Sequence, residues 1–216
     1  MLSHVLLPVS HCVTYPAMQE RLNKLLAERA SPGSDSAAID SRIWELYGET
    51  WAVMFTDLAG FSRQVASFGV THFLQVIYES FRVYVPVIEA HNGVLLKVEG
   101  DSMMVLFRKP AAALECAIAM QRAGAAYNKN RADDEKLLLS IGLGYGEVLK
   151  FGDQDVYGSE VNVACKLGED LGTHHSVLAS DSFHEAVKGA TPLRLVKHGK
   201  TPAGTVQAWM VEYDSK

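Results

Sequence analysis

The most constraining feature of the sequence is the stretch Val53–Ser62, in which an apolar run ends at a carboxylate and a glycine turn. The run predicts a buried strand over Ala52–Phe55, which places Asp57 at the strand's end. Backbone N–H groups of the Gly60 turn, and of the helix start that follows it, would face anionic oxygens such as those of a phosphate. Alone the pattern is weak, because a single aspartate before a helix is usually a helix cap.

A second acidic turn strengthens this interpretation. Glu99–Asp101 lies between the apolar runs Val94–Val98 and Met103–Phe107, a pattern that predicts a β-hairpin. Asp57 and Asp101 would then be carboxylates on neighbouring strand ends, which is what a two-cation phosphoryl-transfer site needs. The pair therefore favours metal binding over a capping role for Asp57.

Composition limits the class of protein. A chain of 216 residues, 48% hydrophobic and 21% charged, predicts one sizeable globular domain with some additional sequence. The formal net charge of −5 argues against a nucleic-acid partner. Three cysteines without C-x-x-C spacing favour a reducing cytoplasm. No apolar run approaches the roughly 18 residues of a membrane span, and Val5–Val9 is too short for a signal peptide.

The first 46 residues are expected to form an extension that docks on the main domain or on a partner. Met18–Ala30 has the period of a short amphipathic helix, and Ser31–Ser36 has the composition of a linker. A small apolar cluster at Ile43–Tyr47 precedes the first strand. The main domain is therefore assigned to residues 47–216.

Apolar strands and amphipathic helices alternate through the main domain. Thr71 is expected to cap a helix that runs to about Ala90, and Gly172 to end a helix that starts near Glu160. The other expected elements are a helix over Ala111–Tyr127, strands at Leu137–Leu143 and Val177–Ala179, a short helix to Val187, and a hairpin of Leu193–Val196 with Val206–Val211. This order predicts an α+β fold with a ferredoxin-like βαββαβ core, in which helices pack on one face of an antiparallel-rich sheet.

Four segments, in order, resemble motifs of the class III adenylyl and guanylyl cyclase catalytic domain. They are Phe55–Ser62, Lys97–Asp101, Asp155–Lys166 and Val196–Lys200. The resemblance extends from about Trp51 to Val211. It implies a homodimer whose active sites straddle the interface, with the metal pair from one chain and the remaining groups from the other.

The resemblance also implies individual roles. Asp57 and Asp101, with the Leu58 carbonyl, would hold two Mg²⁺ or Mn²⁺ ions per active site. The residues that would contact substrate are Lys97 and Asp155 for the base, Asn162 for the ribose, Lys166 for charge on the α-phosphate, Lys200 for the β- and γ-phosphates, and Gly60 and Phe61 in the first motif.

The implied substrate is ATP, and the implied products are 3′,5′-cyclic AMP and pyrophosphate. Adenine presents an acceptor at N1 and a donor at N6, which suits a lysine beside an aspartate, whereas guanine reverses that pattern. Lys166 departs from the family, which usually has arginine there, and an ammonium lacks the planar fork that matches two phosphoryl oxygens. The alternative function is a weak or inactive cyclase-like module that binds nucleotide and signals by dimerisation.

Each of these residues also has an ordinary structural interpretation. Lys97 and Lys200 would be solvated strand residues, Asp155 the start of a turn, and Asn162 a satisfied amide in an apolar helix. The glycines of Gly142–Gly146 lack G-x-G-x-x-G register and are interpreted as a backbone feature. Neither a P-loop sequence nor the G-G-[DE]-E-F signature of diguanylate cyclases occurs.

Overall fold

The apolar periods of the sequence become strands and helices in two compact units. The structure is a computed structural model that describes residues 17–58, 69–153, 155–200 and 207–214. Within these ranges, the smaller unit contains residues 17–49 and 148–157, and the larger contains residues 50–147 and 158–214. Gly60 and Phe61 lie outside the described residues.

The strands of the described chain are β1 (Gly48–Leu58), β2 (Val94–Glu99), β3 (Ser102–Phe107), β4 (Leu139–Phe151), β5 (Asp155–Tyr157), β6 (Val177–Ala179), β7 (Arg194–Lys200) and β8 (Gln207–Glu212). The α-helices are α1 (residues 17–29), α2 (Ser36–Tyr47), α3 (Val70–Ala90), α4 (Pro110–Asn128), α5 (Ser159–Lys166) and α6 (Asp181–Val187). A 3₁₀ turn lies at Asp133–Glu135, and a π-helical turn at Leu167–Leu171 follows α5 directly.

The strands form a single sheet in the order β2-β3-β1-β4-β6-β8-β7, with β5 paired to β4. Pairing is antiparallel in β1–β3, β2–β3, β6–β8 and β7–β8, and parallel between β4 and β6. The predicted α+β fold with an antiparallel-rich sheet is therefore confirmed. The predicted hairpin around Glu99–Asp101 is present as β2 and β3, joined through Gly100 with a φ of 60°.

Helices cover both faces of part of the sheet, so the expectation of helices on one face was wrong. In β6, Val177 and Ala179 contribute to the main core, whereas Leu178 packs with Leu167 and Ala208 in a separate cluster. Successive side chains of a strand point to opposite faces. The π-helical turn that carries Leu167 is therefore on the face opposite the main core, and a wholly apolar strand such as β6 is buried on both sides.

Glycines of β4 allow α5 to approach the sheet. A methyl group at Gly142 would overlap the carbonyl oxygen of Ala164, and one at Gly144 would overlap the carbonyl oxygen of Glu160. Both clashes are with backbone atoms of α5, so the strand needs glycine at these two positions for packing.

Two of the predicted helix ends were wrong in detail. Gly172 has a φ of −67° and not the left-handed conformation of a C′ glycine. A methyl group there would overlap the hydroxyl of Ser140, so its role is to make room. Gly69, with a φ of 85°, occupies the N-cap of α3 without a side-chain hydrogen bond, and Thr71 lies inside the first turn.

The smaller unit has its own apolar core. Leu25, Ile39, Ile43 and Tyr47 of the two N-terminal helices are buried together, with Phe151 packed against them. The Tyr47 and Phe151 rings lie 5.1 Å apart between centroids. The division into a 1–46 extension and a 47–216 domain remains a prediction. None of the helices in the described ranges combines the length and apolar composition that a membrane crossing requires.

Candidate active site

Asp57 and Asp101 lie at the ends of two neighbouring strands. The β1–β3 register pairs Thr56 with Met103, so the residue after Thr56 and the residues before Met103 come together. The Ser102 hydroxyl donates to Asp57 Oδ1 at 3.1 Å. Antiparallel pairing thus delivers both carboxylates to the same edge, as the sequence predicted.

The two carboxylates are partly buried and repel each other. Burial is the main cause that raises the pKa of Asp57 to about 6, and the charge of Asp101 raises it further. Burial also raises the pKa of Asp101, although backbone N–H groups of Asp101 and Leu58 donate to that carboxylate and lower it. Asp101 Oδ2 is nevertheless buried and has no hydrogen-bond partner among the residues that the structure describes. Such an oxygen has an unused lone pair in a place where negative charge is unfavourable.

This donor set fits a hard divalent cation. Mg²⁺ prefers oxygen ligands and is usually held by one or two carboxylates together with waters and substrate phosphates. The described residues contain no group of three or more His, Cys, Asp or Glu side chains that could hold a metal ion. Asp57 and Asp101 could each supply a carboxylate to such a cation, and Leu58 could supply its backbone carbonyl.

Lys97 lies on β2, the first strand of the hairpin that carries Asp101. The β2–β3 register pairs Lys97 with Met104 and Glu99 with Ser102. Lys97 Nζ forms an ion pair with Glu99 Oε1 at 2.6 Å. The ammonium is therefore held along the strand toward the turn that carries Asp101.

Asn162 and Lys166 share the exposed face of α5. Val161 and Ala164 are buried, while residues 162 and 166, four apart, are exposed. The structure brings the two aspartates together, and among the described residues Lys166 forms no ion pair with either of them.

Glu169 is a third carboxylate near the pair, and sequence reasoning missed it. Its charge raises the pKa of Asp57, and after burial and Asp170, the charges of Asp101 and Glu99 raise its own pKa. Glu169 lies in the π-helical turn after α5. The acidic pair Glu169 and Asp170 was a visible signal, but the π-helical turn in which Glu169 lies has no simple sequence pattern.

The other predicted substrate residues are placed less completely. Asp155 lies in β5 of the smaller unit, where it pairs with Phe151. Its carboxylate accepts hydrogen bonds from the Val156 N–H at 2.9 Å and from the Tyr157 hydroxyl at 3.2 Å. Lys200 is the last residue of β7, and its side chain is outside the described set. The roles assigned to these two residues remain predictions.

A family comparison identifies the chain. The model of the adenylate and guanylate cyclase catalytic domain matches residues 47–214. The chain belongs to this cyclase family. The resemblance inferred from the four motifs is therefore confirmed.

Individual cyclases resemble the chain in sequence and in fold. The putative adenylate cyclase 3 of Rhizobium meliloti (strain 1021) is 32% identical over 148 residues, which cover 68% of this chain and 25% of that protein. The adenylate/guanylate cyclase/hydrolase of Silicibacter pomeroyi has a TM-score of 0.67 at 23% identity, covering 77% of this chain and 98% of that one. The guanylyl cyclase Cya2 has a TM-score of 0.65 at 23% identity, covering 76% and 92%.

These comparisons leave the purine open. The chain spans about a quarter of the length of the curated cyclase it matches, and the structural similarities show the fold alone. Proteins named for adenylate and for guanylate chemistry both resemble this cyclase domain.

Proposed function

We propose that this cyclase domain converts ATP to 3′,5′-cyclic AMP and pyrophosphate, with two Mg²⁺ or Mn²⁺ ions at the interface of a homodimer. The observation that carries the proposal is the adjacent pair of Asp57 and Asp101. Burial raises the pKa of both carboxyl groups, and Asp101 Oδ2 is buried with no hydrogen-bond partner in the described part of the chain. A divalent cation offsets both the mutual repulsion and the burial of charge.

Asp57 and Asp101 would hold the cations together with the Leu58 carbonyl. When bound, the cations supply a lowered pKa for the ribose 3′-hydroxyl and neutralise the triphosphate. A side-chain general base is then unnecessary, and none of the eight histidines is assigned a catalytic role. The chain's other residues have to orient the ribose and stabilise charge at the α-phosphate.

Lys97 and Asp155 support ATP as the substrate. A lysine ammonium donates to the N1 acceptor of adenine, and an aspartate accepts from the N6 amino group. Guanine at the same place would present a donor to the ammonium, which leaves an unpaired polar contact.

Asn162 and Lys166 would act on the ribose and the α-phosphate, respectively. Their common exposed face on α5 can present both side chains to one ligand. Lys200, at the end of β7, would hold the β- and γ-phosphates. Gly60 and Phe61 would contribute from the turn after β1.

Lys166 favours a second candidate function, a module that binds nucleotide and turns it over slowly or not at all. A lysine is a point charge, whereas the arginine usual in this family can form two parallel hydrogen bonds to phosphoryl oxygens. Both metal aspartates and the lysine for the base are present, which favours the enzyme.

The test measures cyclic nucleotide formed from ATP or GTP with Mn²⁺ and with Mg²⁺. Cyclic AMP is the expected main product, and Asp57→Ala and Asp101→Ala should each lower turnover at least about 10²-fold, because the site loses a central electrostatic contact. Asp133→Ala is the matched control, since Asp133 is 96% exposed and lies on a separate surface turn. Nucleotide binding without product under every condition would support the second candidate and refute the enzyme.

A further inference from the structure

The carboxylate of Glu160 receives three hydrogen bonds from other elements. Its Oε2 accepts the backbone N–H of Tyr145 at 3.1 Å and the Ser180 hydroxyl at 2.6 Å, and its Oε1 accepts the Ser182 hydroxyl at 3.1 Å. Tyr145 belongs to β4, Ser180 is the N-cap of α6, and Ser182 lies in the first turn of α6. One side chain thus connects the start of α5 to a strand and to a second helix.

The surroundings of Glu160 leave little room for another arrangement. A methyl group at Gly144 would overlap the Glu160 carbonyl oxygen, and one at Gly146 would approach Glu160 Cγ to 3.0 Å. The strand therefore contacts both the backbone and the side chain of Glu160. A close-packed contact of this kind resists small displacements of the helix.

Ser180 is the donor in the shortest of these hydrogen bonds. It is fully buried, and its Oγ accepts the backbone N–H of Phe183 at 3.1 Å to cap α6. The hydroxyl proton is then available for Glu160, and an ionised carboxylate is an acceptor-only group. Each hydrogen bond between Ser180, Glu160 and the Phe183 N–H therefore has one donor and one acceptor.

Helix α5 depends on these contacts for its position. It has eight residues, and its N-cap, Gly158, supplies no side-chain hydrogen bond. Short helices gain most of their stability from tertiary contacts. Asn162 and Lys166 follow Glu160 by two and six residues on the same helix, so a displacement of its first turn moves both.

We propose that Glu160 is a positioning residue for catalysis, which fixes α5 so that Asn162 and Lys166 meet the ribose and the α-phosphate. The inference rests on the proposed function, because it assigns a task to the same site. Glu160 does not contact the nucleotide. Its removal misplaces groups whose contribution is greatest in the transition state.

The test compares kcat and KM for ATP among variants of Glu160. Glu160→Ala should lower kcat by about 10- to 100-fold and leave KM within about threefold, since a displacement of about 1 Å can cost 10²-fold. Glu160→Gln should retain most of kcat, because its amide oxygen can accept from Tyr145 and Ser180 while its NH₂ donates to Ser182. Ser159→Ala, an exposed neighbour in the same turn, is the control with parental kinetics.

A double-mutant cycle separates positioning from general stability. In a background that carries both Asn162→Ala and Lys166→Ala, Glu160→Ala should lower the residual kcat by less than about threefold, because the two groups that Glu160 positions are already absent. The full loss in both backgrounds would overturn the inference, as would parental kcat in Glu160→Ala. Should Glu160→Ala not fold, Glu160→Asp, one methylene shorter, carries the same expectation of lower kcat with unchanged KM.

The outcomes distinguish the inference from the function beneath it. Parental turnover in both Asp57→Ala and Asn162→Ala would refute the proposed site, and the positioning role with it. An inactive Asn162→Ala beside a fully active Glu160→Ala would overturn the positioning role alone.

Discussion

At the scale of the residue, Asp57 is where folding and function oppose each other. Burial and the neighbouring charge of Asp101 raise its pKa from 3.8 to about 6. The folded state therefore binds this proton more tightly than the unfolded state does between those values. The free energy of unfolding falls as the pH rises from about 4 to about 6, because the unfolded state loses the Asp57 proton more readily than the folded state does.

We expect Asp57→Asn to raise the melting temperature of the metal-free protein at about pH 7.5 and to change it little near pH 4.5, where Asp57 is already protonated. Mn²⁺ should stabilise the parent at the higher pH and stabilise the variant much less. A ligand that binds only the folded state stabilises it more when its affinity is higher, and the variant lacks one carboxylate ligand. Thermal unfolding with and without Mn²⁺ measures both effects. Asp133→Asn, an exposed carboxylate paired with Lys136, controls for net charge. The same gain at both pH values would contradict the assignment.

At the scale of the element, strand and helix types could be predicted, and their contacts could not. The period of apolar residues identified the β2–β3 hairpin and the α3 and α4 helices, because burial on one side leaves a pattern in the sequence. Gly172 was assigned to a helix end as a left-handed residue, yet the structure needs glycine there because Ser140 leaves no room for a side chain. Glu169 was missed because its neighbours in space come from distant parts of the sequence. Which residues from distant segments touch is a property of the packed fold.

The same division applies to the site, where the sequence predicts residues at strand ends and does not predict contacts between distant segments. Asp57 and Asp101 were paired correctly because antiparallel neighbours bring strand ends together. The three hydrogen bonds of Glu160 come from Tyr145, Ser180 and Ser182, which are separated from it by 15 to 22 residues in sequence. No local motif contains such a set.

The two nearby glycines of β4 provide a graded test of how α5 packs on the sheet. Gly142→Ala places a methyl group against a backbone carbonyl of α5 and should lower the free energy of unfolding by about 1–3 kcal/mol or more, as overpacking does. A methyl group at residue 146 meets side-chain atoms of Glu160, Cγ at 3.0 Å and Cβ at 3.8 Å. Gly146→Ala should therefore cost less than about 1 kcal/mol, since replacing a strand glycine is itself favourable. Denaturant unfolding gives both values. Equal losses would show that α5 does not rest on Gly142.

At the scale of the whole molecule, the distribution of charge favours a site completed by a second chain. The charges of Asp101 and Glu169 raise the pKa of Asp57, and the charge of Asp101 raises the pKa of Glu169, so these three carboxylates form a negative cluster. A triphosphate also needs cationic side chains, and among the described residues Lys166 forms no ion pair with Asp57 or Asp101. In a two-fold symmetric dimer, each chain would supply the aspartates to one site and the exposed face of α5 to the other.

Two inactive variants should therefore restore each other. In a heterodimer of Asp57→Ala with Asn162→Ala, one site carries both defects and the other carries neither. Equal mixing with free exchange makes half of the dimers heterodimers, so about a quarter of parental cyclase activity should return. The mixture of Asp57→Ala with Asp101→Ala is the matched control. Both of its defects lie on the metal side, so every site in its heterodimers stays damaged. Recovery in the first mixture alone would establish the shared site. Absence of recovery, with subunit exchange demonstrated by differently tagged chains, would place the complete site within one chain.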